Sequence, residues 1–136
     1  MTQTEKELLL RDLCARLPYS IKASYYGADE ECETWDEVDG VAFDYVEIGQ
    51  YSLPIERIKP YLFPLSSMTE EQKKYISNKW GINEEFDFEI DPNCGEYFVE
   101  LGYTVEFVDW LNKNHFDYRG LIDKSLALDA TGLNIY

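Results

Sequence analysis

Residues 19–53 decide the fold and read YSIKASYYGADEECETWDEVDGVAFDYVEIGQYSL. Apolar and polar side chains alternate over residues 19–26 and again over residues 41–48, and a period of two is typical of half-buried strands. Between them, residues 28–40 hold seven acids and no base, which indicates either the charged edge of a hairpin or a mobile loop. Residues 49–50 predict a turn and residues 51–53 a short third strand.

The chain after this stretch completes the predicted sheet region. Pro54 begins a single helical turn that Pro60 ends, and residues 61–68 form an apolar connector. Further along, residues 85–91 show the cleanest alternation in the chain, and residues 97–101 supply a partner strand. The strands therefore predict a small antiparallel sheet, with a barrel-like meander of residues 19–53 as an alternative arrangement.

Four helices surround the predicted sheet. The first spans residues 5–16, where Thr4 and Glu7 match a capping box and Pro18 ends the helix. Its apolar stripe consists of Leu9, Leu10, Leu13, Cys14 and Leu17. We therefore expect an α+β fold in which an N-terminal helix and C-terminal helices pack on the sheet.

The other three helices lie in the second half of the chain. One spans residues 69–80, with Thr69 as its N-cap, Gln72 at the capping-box position and Gly81 as its stop. Residues 104–115 predict the next helix, and Asp117 caps the last one, over residues 118–127. The inward side of the 104–115 helix holds Val105, Phe107, Val108, Trp110 and Leu111.

Composition bounds the class of protein. With 136 residues, 45% of them hydrophobic and 15% aromatic, the chain is expected to fold as one domain over residues 1–136. Its 27 acids and 12 bases give a net charge of −15, which disfavours direct binding to nucleic acid or to anionic lipid. Such a surface either serves solubility or meets a basic protein partner.

The chain shows no targeting signal. Residues 1–13 lack the basic start and apolar stretch of a signal peptide, and no segment is apolar for the length of a membrane span. Cys14, Cys32 and Cys94 are widely spaced, which indicates reduced thiols, at least one of them buried, in a cytoplasmic protein.

Four carboxylates of the 85–91 strand form the candidate interaction surface. Glu85, Asp87, Glu89 and Asp91 lie on one face of a strand, about 6.5–7 Å apart, and Phe86, Phe88 and Ile90 lie on the other. The spacing resembles that of phosphates along a nucleic-acid strand. The pattern indicates either an ordinary amphipathic strand or an acidic ladder offered to a basic groove.

We assign no catalytic, metal or cofactor site. The stretch before Gly40 fails the EF-hand pattern because Trp35 and Val46 would stand at ligand positions. His115 is the only histidine and is expected to sit at the C-terminal end of a helix, where the dipole favours its charge. A catalytic His115 would need Asp109 or Asp117 to orient it, and no sequence context supports that pairing. A helix-turn-helix around residues 112–117 fails because its second helix is acidic.

Three segments resemble a known group of proteins. They read LLLRDLCARLPY at 8–19, IKPYLFPLSSMTEEQKKY at 58–75 and DWLNKNHFDYRGLIDKSLALDA at 109–130. Their wording resembles an uncharacterised family of small proteins encoded by gut Bacteroidales and their phages or prophages. The resemblance carries no known activity, and it implies a cytoplasmic accessory protein, of a mobile element or of the host, that binds rather than catalyses.

Three functions follow as hypotheses. The first is a non-enzymatic protein-interaction or regulatory module of phage or mobile-element origin. The second is a nucleic-acid mimic whose carboxylates inhibit a basic DNA- or RNA-binding protein. The third is an enzyme of unrecognised type, with His115 or a cysteine in a polar pocket. The excess of acids over residues 23–56 and 84–100, which contain no base, directs the search for a site to the sheet region.

Overall fold

The computed structural model describes residues 1–26, 33–81 and 105–136. Within these ranges the helices are α1 (Gln3–Arg16), α2 (Glu70–Trp80) and α3 (Val105–Lys113). The strands are β1 (Lys22–Tyr26), β2 (Glu33–Ala42), β3 (Tyr45–Ile48), β4 (Tyr51–Pro54), β5 (Ile58–Pro64), β6 (Phe116–Asp117) and β7 (Leu128–Asp129). Short 3-10 turns at Leu17–Tyr19, Ile55–Arg57 and Leu65–Ser67 join them.

The strands form one open, mixed sheet, and the α+β prediction is confirmed. Its order is β4-β3-β2-β1-β5-β6, with β7 also paired to β5. Neighbours from β4 to β5 are antiparallel, whereas β6 and β7 run parallel to β5. The barrel-like alternative is wrong because the sheet does not close, and the purely antiparallel sheet is corrected by the two parallel pairings. The strands predicted at 85–91 and 97–101 lie outside the described residues.

The first half of the sheet follows the sequence pattern except at one turn. Residues 19–26 contribute β1, and residues 49–50 turn between β3 and β4 as predicted. The strand predicted over residues 41–48 is instead divided between β2 and β3, which pair with each other from Val38↔Ile48 to Ala42↔Tyr45. Phe43 makes the turn possible by taking a left-handed φ of 54°. For residues 28–40 the sequence pattern allows either the edge of a hairpin or a loop. The part that the structure describes, residues 33–40, belongs to β2.

The sequence pattern does not predict strand β5: it indicates a helical turn that ends at Pro60 and an apolar connector over residues 61–68. Tyr61 and Leu62 are both buried although they are neighbours, so this strand lacks the alternation of a half-buried one. Prolines are also rare inside sheets because they cannot donate to the ladder. Here Pro60 lies opposite Ala23 of β1, and Pro64 is the last residue of the strand.

The helices agree with the sequence to different degrees. Helix α2 has the predicted Thr69 capping box, and Gly81 is its C-cap. Helix α1 starts two residues earlier than predicted because Thr2, rather than Thr4, caps it together with Glu5. Both threonines precede a glutamate by three residues, so the pattern offers two starts. In the ranges described, no helix combines the length and apolarity needed to cross a bilayer.

The C-terminal third departs most from expectation. Helix α3 buries Phe107 and Leu111 as predicted, but Val105 is exposed at its first turn. The last predicted helix, over residues 118–127, is wrong: the chain forms successive turns between β6 and β7. Gly120 and Ser125 adopt left-handed φ angles of 71° and 60°, which a right-handed helix excludes.

Three hydrophobic clusters hold the layers together. The first joins Leu9 and Leu13 of α1 to the inner face of the sheet. A second joins α2 and α3 around Phe107. The third packs Ile135 of the C-terminal segment against Tyr61 of β5. The C-terminal segment is therefore part of the core.

Gly49 and Gly81 provide a matched test of turn geometry, because both have left-handed φ angles, of 59° and 69°. A Cβ atom on Gly49 would lie 2.8 Å from Oη of the buried Tyr25, whereas none of the described residues lies within 4 Å of one on Gly81. We expect Gly81→Ala to lower the free energy of unfolding by about 1 kcal/mol and Gly49→Ala by about 2–3 kcal/mol. Urea unfolding measures both. Equal losses would show that the Tyr25 side chain moves away from the added methyl group without a cost in the free energy of unfolding.

Candidate functional site

The outer face of strands β2 and β3 brings aromatic and acidic side chains together at the surface. Val38, Val46 and Ile48 point inward and are buried, so the alternate positions face outward. Together with the bulge and the hairpin tip, they form what we call the acidic-aromatic face: Trp35, Glu37, Asp39, Phe43, Tyr45 and Glu47. Its aromatic members Trp35, Phe43 and Tyr45 are 47%, 90% and 52% exposed.

The local backbone explains why these rings are exposed. The register between β2 and β3 shifts between Val38 and Gly40, a β-bulge that adds a residue to β2. The hairpin then turns at Phe43 and Asp44, and the Asp44 carbonyl accepts a hydrogen bond from the Ile55 N–H at 2.7 Å. Phe43 thus projects from the tip. Phe43 and Tyr45 lie at the hairpin end of the face, whereas Trp35 lies eight residues before Phe43, about 25 Å away along an extended strand.

The carboxylates of this face form no ion pair with any of the described residues. Within the part of the chain that the structure describes, ion pairs join Lys6 to Glu56, Lys73 to Glu70, and both Arg16 and Arg119 to Asp12. The carboxylates of Glu37, Asp39 and Glu47 take part in none of these. The face therefore presents negative charge beside exposed rings.

Lys22 of β1 lies beside this face. Its residue pairs with Glu37 across the β1–β2 ladder. The ammonium lies 5.3 Å from the centre of the Trp35 ring and 5.7 Å from that of Tyr136. It donates to the carbonyl of Ile135 at 2.7 Å. Lys22 thus connects the acidic-aromatic face to the C-terminal segment.

A second candidate is a buried polar junction between α1 and the C-terminal segment. Asp12 and Arg16 are completely buried, and Arg16 Nε donates to Asp12 Oδ2 at 2.8 Å. Arg119 Nη1 donates to Asp12 Oδ1, also at 2.8 Å. Arg16 Nη2 reaches the Phe116 carbonyl at 2.7 Å, and its guanidinium lies 5.3 Å from the Tyr118 ring centre. These contacts join α1 to β6 and to the turn that follows β6.

Asp117 caps a turn rather than a helix. Its carboxylate accepts hydrogen bonds from the N–H groups of Leu121 at 2.8 Å and Ile122 at 2.9 Å. Burial raises the pKa of Asp117 in spite of these bonds and of the nearby Arg16 cation. The prediction that Asp117 caps a helix is wrong, because the chain forms a turn there, and the carboxylate accepts from the N–H groups of that turn instead.

His115 is neutral and buried. Its ring stacks on Tyr136, with ring centres 3.7 Å apart, and only 8% of the residue is exposed. Burial, together with the positive charges of Arg16 and Lys22, lowers the pKa of His115 to about 4. The expectation of a charged histidine favoured by the helix dipole is therefore wrong, because the imidazole is enclosed beside two cations.

The junction does not form a catalytic arrangement within the described residues. His115 Nδ1 is buried without a hydrogen-bond partner there, so neither Asp109 nor Asp117 orients it through that atom. Arg16 Nη1 is the other buried atom without a partner among the described residues. The contacts of the junction satisfy buried charges and join segments, which is a structural role.

The remaining predicted site residues divide into two groups. The predicted acidic ladder lies outside the described residues, and so do two of the cysteines; the residues concerned are Glu85, Asp87, Glu89, Asp91, Cys32 and Cys94. Cys14 is exposed on α1 rather than part of its apolar stripe. Among the residues described, no group of three or more potential metal ligands occurs.

The aromatic members of the acidic-aromatic face are not predicted as site residues by the sequence pattern. The acids of residues 33–47 were noted, yet Trp35, Phe43 and Tyr45 were assigned no role. A signal was present, since aromatic residues alternate with acids along this stretch. Their common face depends on the bulge and on the turn at Phe43, which the pattern does not reveal.

The stability of the protein should depend on pH through His115. Because its pKa is about 4 when folded and about 6.5 in an unfolded chain, the unfolded state binds more protons between these values. Stability is therefore complete above pH 6.5 and falls as the pH falls toward 4. Between pH 7 and 5 we expect a loss of about 2 kcal/mol relative to His115→Phe, measured by urea unfolding. Parallel pH profiles of the two proteins would contradict the buried, neutral histidine.

The two arginine contacts of Asp12 should differ in strength. Asp12→Asn leaves the fully buried Arg16 cation without its charge partner, so we expect unfolding to become easier by about 3–5 kcal/mol. Arg119→Gln removes a partner whose side chain is 17% exposed, and we expect a loss of about 1 kcal/mol. Thermal and chemical unfolding would report both values. Because Asp12→Asn breaks both arginine contacts, its excess cost over Arg119→Gln reports the Asp12–Arg16 pair, and equal costs would contradict a strong buried pair there.

Comparison with known proteins adds no relative. No protein-family model matches the chain, and neither does any curated protein or solved structure. A function is therefore inferred from the chain's own residues and contacts.

Proposed function

We propose that this protein is a non-enzymatic interaction or regulatory module that binds a basic protein partner through its acidic-aromatic face. The observation that carries the proposal is the presence of three exposed aromatic rings, those of Trp35, Phe43 and Tyr45, among carboxylates without ion pairs within the described residues. Aromatic side chains dominate the energetics of protein interfaces, and exposed acids attract a partner of opposite charge.

The charge distribution supports a basic partner. Residues 23–56 contain acids and no base, and the whole chain carries a net charge of −15. A second copy of the chain would be repelled by this face, as would nucleic acid and anionic lipid. A partner rich in lysine and arginine would gain long-range attraction and could place its cations on the exposed rings.

The cellular setting is part of the same proposal. The resemblance of residues 8–19, 58–75 and 109–130 to small proteins of gut Bacteroidales and their phages supports a mobile-element origin. The wide spacing of the three cysteines supports a reducing, cytoplasmic environment. The partner would then be a cytoplasmic protein of the host or of the element.

A nucleic-acid mimic is a more specific form of this function. The observation that favours it is the row of exposed carboxylates, Glu37, Asp39 and Glu47, on one side of the sheet. In that case the partner is a DNA- or RNA-binding protein, and the acids occupy the positions of phosphates. Competition separates the two forms: duplex DNA or RNA displaces a mimic from its partner and leaves a simple interaction module bound.

Binding of a labelled peptide of alternating arginine and serine tests the charge component. We expect Glu37→Gln with Glu47→Gln to weaken binding several-fold, because two carboxylates of the face are lost. The control pair Asp109→Asn with Asp123→Asn removes the same charge from exposed positions outside the face. Fluorescence anisotropy at low and high salt gives the affinities. Equal weakening by both pairs, or binding indifferent to salt, would contradict a specific acidic surface.

Substitution of matched tyrosines tests the aromatic component in the same assay. Tyr45 on the face and Tyr75 on α2 are 52% and 44% exposed. We expect Tyr45→Ala to reduce the affinity and Tyr75→Ala to leave it unchanged.

An affinity purification from the native host at both salt concentrations would then show whether the captured proteins are basic. A set of partners without basic bias would overturn the proposal.

A further inference from the structure

We propose that Lys22 is an internal competitor for the partner's cation on Trp35, and that the C-terminal residues Ile135 and Tyr136 hold it in that position. This inference rests on the proposed function, because it concerns the regulation of the same face. It predicts that the face is partly occupied by the protein's own ammonium group and becomes fully available when the C-terminal segment releases Lys22.

The side chain of Lys22 is held by groups that a partner's cation would also use. Its ammonium lies within 6 Å of the centres of two rings, Trp35 at 5.3 Å and Tyr136 at 5.7 Å, which is the range of cation–π attraction. It also donates to the carbonyl of Ile135 at 2.7 Å. A lysine or arginine of the partner would bind over the same ring of Trp35.

The choice of contacts at Lys22 is informative. Glu37 is its direct partner across the β1–β2 ladder, so an ion pair between the two side chains would be the simplest arrangement. None of the ion pairs found in the described ranges involves Lys22. The Ile135 carbonyl and the two rings hold the ammonium instead, and Glu37 keeps its negative charge available.

Tyr136 fixes this arrangement through the backbone as well. Its hydroxyl accepts a hydrogen bond from the Lys22 N–H at 2.9 Å and donates to the Tyr61 carbonyl at 2.8 Å. The hydroxyl thereby bridges β1 and β5 next to Ala23↔Pro60, the pair at one end of the ladder between these strands. On its other side, the ring stacks on His115. The tyrosine thus holds both the backbone and the side chain of Lys22.

Trp35 has surface left for a partner in spite of this contact. It is 47% exposed, so a ring already in contact with one cation still faces solvent. A second cation approaching the ring meets the like charge of Lys22, which lowers the affinity that the ring and the nearby carboxylates would otherwise give. Removal of the Lys22 charge should therefore strengthen binding at this site beyond the effect of net charge.

Two lysines of the sheet make a matched test. Lys22→Met and Lys59→Met each remove one positive charge from neighbouring strands, but Lys59 is exposed and opposite Ser24 rather than on Trp35. With the arginine–serine peptide, we expect Lys22→Met to bind about threefold more tightly than Lys59→Met. Equal affinities of the two variants would overturn the proposal, because net charge alone would then explain the change.

Tyr136→Phe tests the hold on Lys22 without changing the charge. The variant loses the hydroxyl that bonds the Lys22 N–H and the Tyr61 carbonyl, and we expect it to bind the peptide more tightly than the wild type. Unchanged affinity would show that the C-terminal segment does not control the face. A thermal unfolding curve for each variant confirms that the comparison is made on folded protein.

A second measurement separates this inference from the proposed function. In the wild type, the two rings should shift the NMR signals of the Lys22 ε-methylene protons upfield, and Tyr136→Phe should reduce that shift. If no variant binds the peptide but the shift behaves as expected, the proposed partner is wrong and the internal contact is right. If the wild type binds and the ε-methylene signals are unshifted, the internal competitor is wrong and the proposed function stands.

Discussion

The carboxylate of Asp12 is the group on which the arrangement of the chain depends. Each of its oxygens accepts from a different arginine, one on α1 and one after β6. A fully buried carboxylate is tolerated only when its charge and its lone pairs are both satisfied, and two guanidinium groups satisfy them. The same Arg16 reaches the Phe116 carbonyl, so the start of β6 is fixed relative to α1. From there the C-terminal segment returns along β5 and reaches Lys22.

The chain separates its charges by location. Buried charges at the α1 junction are compensated, whereas the carboxylates on the outer face of β2 and β3 take part in none of the ion pairs found in the described ranges. An acidic surface by itself serves solubility, and its combination with exposed rings is what favours a binding role. Lys22 lies beside the acidic-aromatic face, and its ammonium contacts both Trp35 and the carbonyl of Ile135. It is the basic residue immediately before a stretch, residues 23–56, that contains no base.

Local signals in the sequence predicted local structure well. Strand β1, the turn before β4 and the complete capping box of α2 were recognisable because each depends on neighbours within a few residues. Strand β5 was not recognisable, because its two prolines argue against a strand and its burial on both faces removes the alternation. Asp117 shows a different limit: a carboxylate that accepts from N–H groups four and five residues later begins either a helix or a turn.

The candidate site was predictable in charge but not in geometry. The acids of the sheet region were evident, whereas the outward orientation of Trp35 and Tyr45 depends on the bulge and on a turn at Phe43 without glycine. The neutral state of His115 depends on Tyr136, which lies far along the chain and stacks on it only after folding. Burial beside Arg16 and Lys22 reverses the charge preference that its place after a helix suggests.

The two prolines of β5 also bear on how the protein is made. Strands β1 to β5 leave the ribosome before β6 and β7, so the outer edge of β5 waits for partners encoded far downstream. An uncovered edge is a template for pairing with other nascent chains. Pro60 and Pro64 remove two N–H donors from β5 and weaken any such template. The residues that obscure this strand in the sequence thus make its uncovered edge a poorer template for such pairing.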